Sequence, residues 1–394
     1  MTKNLLLTIC FSAITAFGYS QNKFVFTDTQ RIPCPPVSDQ QNSGTCWCFS
    51  TLSFMESEMI KNGMANPPNL SEMFIVRNNY YDRAKKYIML HGFLNFSQGS
   101  YFIDNFAVMK NYGLMPEEAF PNLKDNQYKI SHTQLEKELK NFVDSVGKDN
   151  ANYVNPNWDS CFNALLDKHF YQIPEDFEYN GQRYTPKSFA EQYCKLNYND
   201  YIQVTSFSHH DFYKLINLEL PDNWRNSLFL NVPIDEMITI IDNSLATGHT
   251  VLWAADISEN GFDTRRGYAL LPGIKKDNLD KKAIEAYQAL SPEEQEKIST
   301  RLTCPGIEMN VTQESRQADF LSRKTTDDHG MQIIGTATDQ NNNKYYIVKN
   351  SWGTYNNYDG YIYVSVNYVK AKTTGLLVNK IACKDQLKKS EAEF

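Results

Sequence analysis

Long apolar runs are scarce in this chain. Only one exists, at the very start, and the mean hydropathy is −0.52. A polytopic membrane protein is thereby excluded. Positive charge is in deficit, with 39 Lys and Arg against 46 Asp and Glu, a net −7. Such a chain matches phosphate backbones poorly, so nucleic acid is not an expected partner. Metal-ligand spacing is missing as well. No CxxC recurs or precedes a His pair, and the adjacent His209 and His210 read as loop or surface residues. Neither a structural zinc nor any other metal is expected. Gly and Pro, 18 and 15 of 394 residues, are too few for a collagen-like or Pro-rich chain. What is present in quantity is apolar and aromatic: 41% apolar residues, with 24 Tyr and 23 Phe, exclude global disorder. The length suffices for one large domain or two ordinary ones with a sizeable core.

The first twenty residues read as an export signal. Lys3 gives a positive start, Leu5 to Phe17 an apolar core, and Ala16, Gly18 and Ser20 small residues for cleavage. The alternative is a buried N-terminal helix. On the export reading the mature chain begins near Gln21 and works in the periplasm or outside the cell. It has no membrane span once the signal is removed. Cys10 leaves with the signal, so seven cysteines remain: Cys34, Cys46, Cys48, Cys161, Cys194, Cys304 and Cys383. An odd number leaves at least one thiol unpaired in an oxidising compartment.

Pattern divides the rest into a helical half over 21–125, a mainly helical insertion over 126–235, a β-rich half over 236–385 and a tail over 386–394. Thr133 to Val146 has helical spacing. Ser291-Pro292-Glu293-Glu294 is a helix start, and with Lys282 to Leu290 it gives two short polar surface helices. Lys384 to Phe394 shows no packing face.

The chemistry concentrates in Gln40-Gln41-Asn42-Ser43-Gly44-Thr45-Cys46-Trp47-Cys48-Phe49-Ser50. Prolines before it forbid helix. After it, Phe49, Leu52, Met55, Met59 and Ile60 recur at helical spacing, and Gly63 can end the run. Cys46 should therefore sit at a helix N-terminus, where unpaired N–H groups and the positive dipole end favour a thiolate. A base stands far downstream. His329 opens an alternating stretch, Asn341 to Asn343 make a turn, and Lys344 to Lys349 return to Asn350-Ser351-Trp352-Gly353. A hairpin of this kind brings His329 and Asn350 together.

These three segments, with Gln40 six residues before Cys46, resemble the signatures of papain-like cysteine proteases. Two departures narrow the branch. Cys46 and His329 stand roughly twice as far apart as the ~130–150 residues of the ordinary papain type. Ser43 stands where those enzymes carry a disulfide cysteine. Both resemble bleomycin hydrolase and aminopeptidase C, as do Leu70 to Phe74, Tyr112 to Pro116 and Thr325 to His329.

The resemblance implies an α+β papain-like fold, a helical half plus an antiparallel β half with a large, mainly helical insertion. It implies Cys46 as nucleophile, His329 as base in a thiolate–imidazolium pair, and Asn350 holding the imidazole. It also implies Trp352 as shield, and the Gln40 side chain with the Cys46 amide as oxyanion hole, without cofactor. Gln41 competes with Gln40, and spacing favours Gln40. Cys48 points away from Cys46 and reads as core. Gly99 resembles the glycine beside the substrate backbone, although Gln98 replaces a second one and a plain turn residue is the alternative. Asp328 tunes the histidine or is a loop acid. Peptides are the expected substrates, and the family's ring-shaped homo-hexamer is an implied assembly. Such enzymes are aminopeptidases whose terminal carboxylate binds the substrate amine. The tail here is shorter and different, so an endopeptidase with the same catalytic set stays open, as does a catalytically silent binding protein.

Overall fold

The computed structural model describes residues 23–125, 127–147, 154–276 and 279–390. The signal-peptide reading over 1–20 and the last four residues of the tail lie outside them.

Prolines and glycine delay the first helix as expected. Strand β1 (Phe26–Arg31) precedes the proline-rich segment, and α1 spans Cys46–Lys61. Gly63, with φ of +96°, follows its end. Helices α2 (Glu72–Met89), α3 (Phe102–Tyr112), α4 (Thr133–Gly147) and α5 (Trp158–His169) build the helical side. Their apolar faces meet in one core that includes Phe54, Phe74, Tyr87, Phe102, Phe120, Leu139 and Phe162. The Ser71 hydroxyl caps α2 by accepting from the Phe74 amide at 3.1 Å.

The sheet draws on more of the chain than the 236–385 half. Strands β2 (Tyr201–Thr205), β3 (Leu215–Asn217) and β4 (Leu228–Asn231) come from the stretch expected to be a helical insertion. Helix α6 (Ile234–Ala246) leads to β5 (Val251–Ala255), β6 (Phe262–Asp263) and β7 (Tyr268–Ala269). After the surface helices α7 (Lys281–Gln288) and α8 (Pro292–Ile298), and α9 (Gln313–Leu321), which buries Arg316, come β8 (His329–Asp339), β9 (Lys344–Lys349) and β10 (Tyr361–Ser365). Helix α10 (Val366–Lys372), strand β11 (Thr373–Asn379) and α11 (Lys384–Lys389) close the described chain. The strand order is β3-β4-β2-β11-β5-β8-β9-β10-β7-β6, with β1 also paired to β8. The helical insertion thus ends near residue 200. Tyr201–Thr205 is buried along its whole length, and such a strand carries none of the alternation that marks a half-exposed one.

One sheet face packs on α6 and α10 around Ile240, Trp253, Met331, Val348 and Tyr368. Leu252, Ala254 and Leu377 face the helical core. The site lies where α1 meets β8. Gly330 makes that approach close: a Cβ there would stand 2.8 Å from the Phe102 ring and 3.3 Å from the Trp47 backbone.

The tail does find a packing face. Leu387 rests on the second core, and Lys389 Nζ and Gln386 Nε2 donate to Glu236 at 2.8 and 2.9 Å. No two of the seven cysteines are bonded to each other. Among the described residues, no helix is long and apolar enough to cross a membrane.

Candidate active site

Cys46 is the first residue of α1, so its own amide has no acceptor within the helix. The turn before it is locked by Ser43, whose hydroxyl donates to the Gln40 carbonyl at 2.7 Å. Gly44 must be small there, because a Cβ would lie 3.0 Å from that of Gln98. The thiol opens onto a cavity of about 260 Å³ whose lining includes Gln40, Gly99, His329 and Trp352. The Gly330 amide donates to Sγ at 3.4 Å.

His329 begins β8 and pairs with Ala255 of β5, so the sheet fixes its backbone. Its Nε2 stands 2.7 Å from Asn350 Oδ1, which also accepts from the Ser351 amide at 2.8 Å. The backbone donor identifies that Asn350 atom as oxygen. Nε2 must therefore carry a proton, and Nδ1 is left as the base of the neutral ring. The Trp352 ring lies 4.5 Å from the imidazole, centroid to centroid.

Gln40 is oriented by the same logic. Its Nε2 donates to the Ser43 carbonyl at 2.6 Å, and its Oε1 accepts from the Ser351 hydroxyl at 2.6 Å. A carbonyl can only accept, so the atom facing Ser43 is the nitrogen, and one N–H remains for the cavity. The Gln40 amide further donates to the Ser351 carbonyl at 2.8 Å, which ties the Gln40 and Asn350 segments into one unit. Gln41 turns away with φ of +53° and accepts from the Ile130 amide. Cys48 is fully buried against the Glu72 carbonyl.

The electrostatics differ from the sequence expectation. Burial pushes the Cys46 thiol up to about 12, and the amides of Gly330 and Trp47 oppose it only in part, while Asp222 and Asp327 raise it further. Burial likewise pushes His329 down to about 4, against the pull of Asn350. The pull of the helix end on the thiol is thus opposed by the desolvation of an isolated charge.

Gly99 lines the cavity, and a Cβ on it would fall 2.0 Å from Asp222 Oδ2. Gln98 folds its side chain back, accepting from the Gly44 amide at 2.7 Å and donating to Glu136 at 2.7 Å. Asp328 accepts from the Thr326 hydroxyl at 2.7 Å and shares a hydrogen bond with Asp256. Two further acids, Asp222 and Asp327, line the cavity. Sequence reasoning passed them over. Asp222 sits in a Pro-Asp-Asn-Trp turn with no motif, and only its place two residues before His329 could have flagged Asp327.

His209 and His210, read as loop residues without ligand spacing, both bring Nε2 to Glu219, at 3.1 and 2.9 Å. A turn of chain supplies the third group that spacing alone could not reveal.

The chain matches the papain family cysteine protease profile over 23–211 and 273–379, and a Peptidase C1-like family profile over 167–279. It is 21% identical to Aminopeptidase W of Lactobacillus delbrueckii subsp. lactis, over 87% of this chain and 80% of that one. It is 22% identical to bleomycin hydrolase of Rattus norvegicus, over 71% and 72%. The crystal structure of PepW from Lactobacillus rhamnosis superposes with a TM-score of 0.67 at 17% identity, covering 97% of this chain and 86% of that one. With the matched profile spanning most of its length, this chain belongs to the papain family of cysteine proteases, on the branch of bleomycin hydrolase and aminopeptidase C.

Proposed function

We propose that this cysteine peptidase is an exported aminopeptidase that releases N-terminal residues from peptides through an acyl-enzyme. One observation carries the chemistry: Cys46, the His329–Asn350 pair and Gln40 converge on a single cavity. The names of the relatives, aminopeptidases among them, support the exopeptidase half.

As Cys46 attacks the peptide carbonyl, its proton passes to Nδ1 of His329. Both charges then arise together, so no net charge enters the buried site. Asn350 steadies the imidazolium through Nε2–H, and the Gly330 amide steadies the sulfur. The oxyanion is received by the free N–H of Gln40 and the Cys46 amide. His329 next protonates the leaving amine, which departs as the shortened peptide, and then draws a proton from the water that cleaves the thioester. Trp352 against the imidazole keeps bulk water from the His329–Asn350 bond. The positive start, apolar core and small-residue end of 1–20 support export. N-terminal sequencing of the protein recovered outside the cytoplasm should begin near Gln21.

The test is a comparison made on residues 21–394 in reducing buffer. A fluorogenic aminoacyl amide should be cleaved and its N-acetylated twin spared. Equal cleavage of both would make the enzyme an endopeptidase.

A further inference from the structure

Among the described residues, the cavity beside Cys46 is lined by three carboxylates, Asp222, Asp327 and Asp328, and by no lysine or arginine. Two of the three are held with unused oxygens. Asp222 lies on the turn before β4. Asn223 Nδ2 donates there to Asn217 Oδ1 and to the Leu218 and Ser227 carbonyls, at 3.0 to 3.1 Å. Next to it, Trp224 Nε1 reaches Ser100 Oγ at 2.8 Å. Asp222 Oδ1 is engaged by Asn95 and Ser97 at 3.1 and 3.4 Å, with Arg83 at 3.9 Å. Its Oδ2 is instead turned over Gly99.

Asp327 is more telling. Its Oδ2 is fully buried and has no hydrogen-bond partner. Its Oδ1 meets only the Thr374 hydroxyl, at 3.5 Å. Among the described residues no lysine or arginine pairs with it. A buried carboxylate oxygen without a donor is costly. Here the cost falls beside the nucleophile, where a bound cation with several N–H donors would relieve it.

Shape agrees with charge. The Asp222 carboxylate occupies the space over Gly99, so a substrate backbone cannot continue past that point. A chain that ends there presents an ammonium group, with three N–H donors for two waiting carboxylates. The described tail contributes nothing to the cavity, because Lys384–Lys389 is docked at Glu236.

We propose that Asp222 and Asp327 form the anchor for the α-ammonium of the substrate's first residue. The exopeptidase register is then set by the β3–β4 turn and the segment before His329. This rests on the aminopeptidase reading above, and the experiment separates the two.

Wild type, Asp222→Asn, Asp327→Asn and a chain ending at Ser390 are each assayed with an alanyl fluorogenic amide, its N-acetyl twin and N-acetyl-arginyl amide. Alkylation of Cys46 by iodoacetamide serves as a measure of an intact site in every variant. Each Asn variant should lose roughly 30-fold in kcat/KM on the free amine, about one charged hydrogen bond, chiefly through KM. The preference for free over acetylated amine should collapse in step, and the chain ending at Ser390 should keep it. If wild type shows no such preference, the aminopeptidase reading itself fails. Three results on a selective wild type overturn the anchor alone: both Asn variants keep the preference, only the shortened chain loses it, or the Asn variants lose only arginyl turnover.

Discussion

Two sets of polar groups share one cavity and are treated in opposite ways. In the catalytic set, Gln40, His329, Asn350 and Ser351 hold one another through bonds of 2.6 to 2.8 Å, and two amide orientations and one imidazole tautomer follow from them. In the acidic set, Asp327 keeps an oxygen buried with no donor, and Asp222 turns one over Gly99. The difference separates two kinds of preparation. Groups that move a proton must be fixed before the substrate arrives, whereas groups that recognise a charge must be left wanting it.

The comparison breaks most visibly at the nucleophile. Cys46→Ala should abolish turnover of every substrate, since no thioester can form. Residual cleavage in that variant would remove the scheme altogether. Gln40→Ala should cost about 10²–10³-fold in kcat, the usual effect of one oxyanion donor. A change confined to KM would show that Gln40 only supports the turn. Third comes the pH profile. Because burial holds His329 down to about 4, the ring remains an unprotonated base through the range where an ordinary imidazole is already charged. The acid limb of kcat/KM should therefore fall only near pH 4, and a limb centred near the ordinary imidazole value would contradict the burial seen here.

The smallest expected effect is on stability, and it is read in the acidic set. Burial, with Asp222 and Asp328 nearby, holds the Asp327 carboxyl well above the ordinary carboxylate range. A carboxyl raised on folding binds its proton more tightly in the folded state, so its cost appears as pH rises above its unfolded value and is absent in acid. Asp327→Asn should therefore raise Tm at pH 8 by about 2 °C and leave it unchanged near pH 3. Calorimetry at the two pH values checks this. A fall at pH 8 would mean that Asp327 holds the fold rather than a ligand.

Much of the catalytic set was legible in the chain. Cys46 begins its helix, and the hairpin of β8 and β9 delivers Asn350 to His329, because Gly44, the helical spacing and the turn at Asn341–Asn343 are local signals. The ionisation of that pair was not legible. The dipole of a helix end can be inferred from sequence, whereas the desolvation that opposes it depends on what α1 and β8 pack against. Strand β2 was missed because a strand buried on both faces shows no alternation, and β3 and β4 because three or four residues are too short to show a period. The packing face of the tail was missed because its apolar contribution among the described residues is a single leucine, Leu387.

The sequence by itself determined the family and pointed to Cys46, His329 and Asn350 as candidate nucleophile, base and orienting amide, since each is announced by residues within a few positions of one another. Tertiary structure alone decided what surrounds them. It carries Asp222 from the β3–β4 turn onto Gly99, leaves Asp327 without a donor, and draws Glu219 to two histidines. Those contacts join segments distant along the chain, and the forces that act there, desolvation and charge across a cavity, depend on distance in space rather than on spacing in sequence.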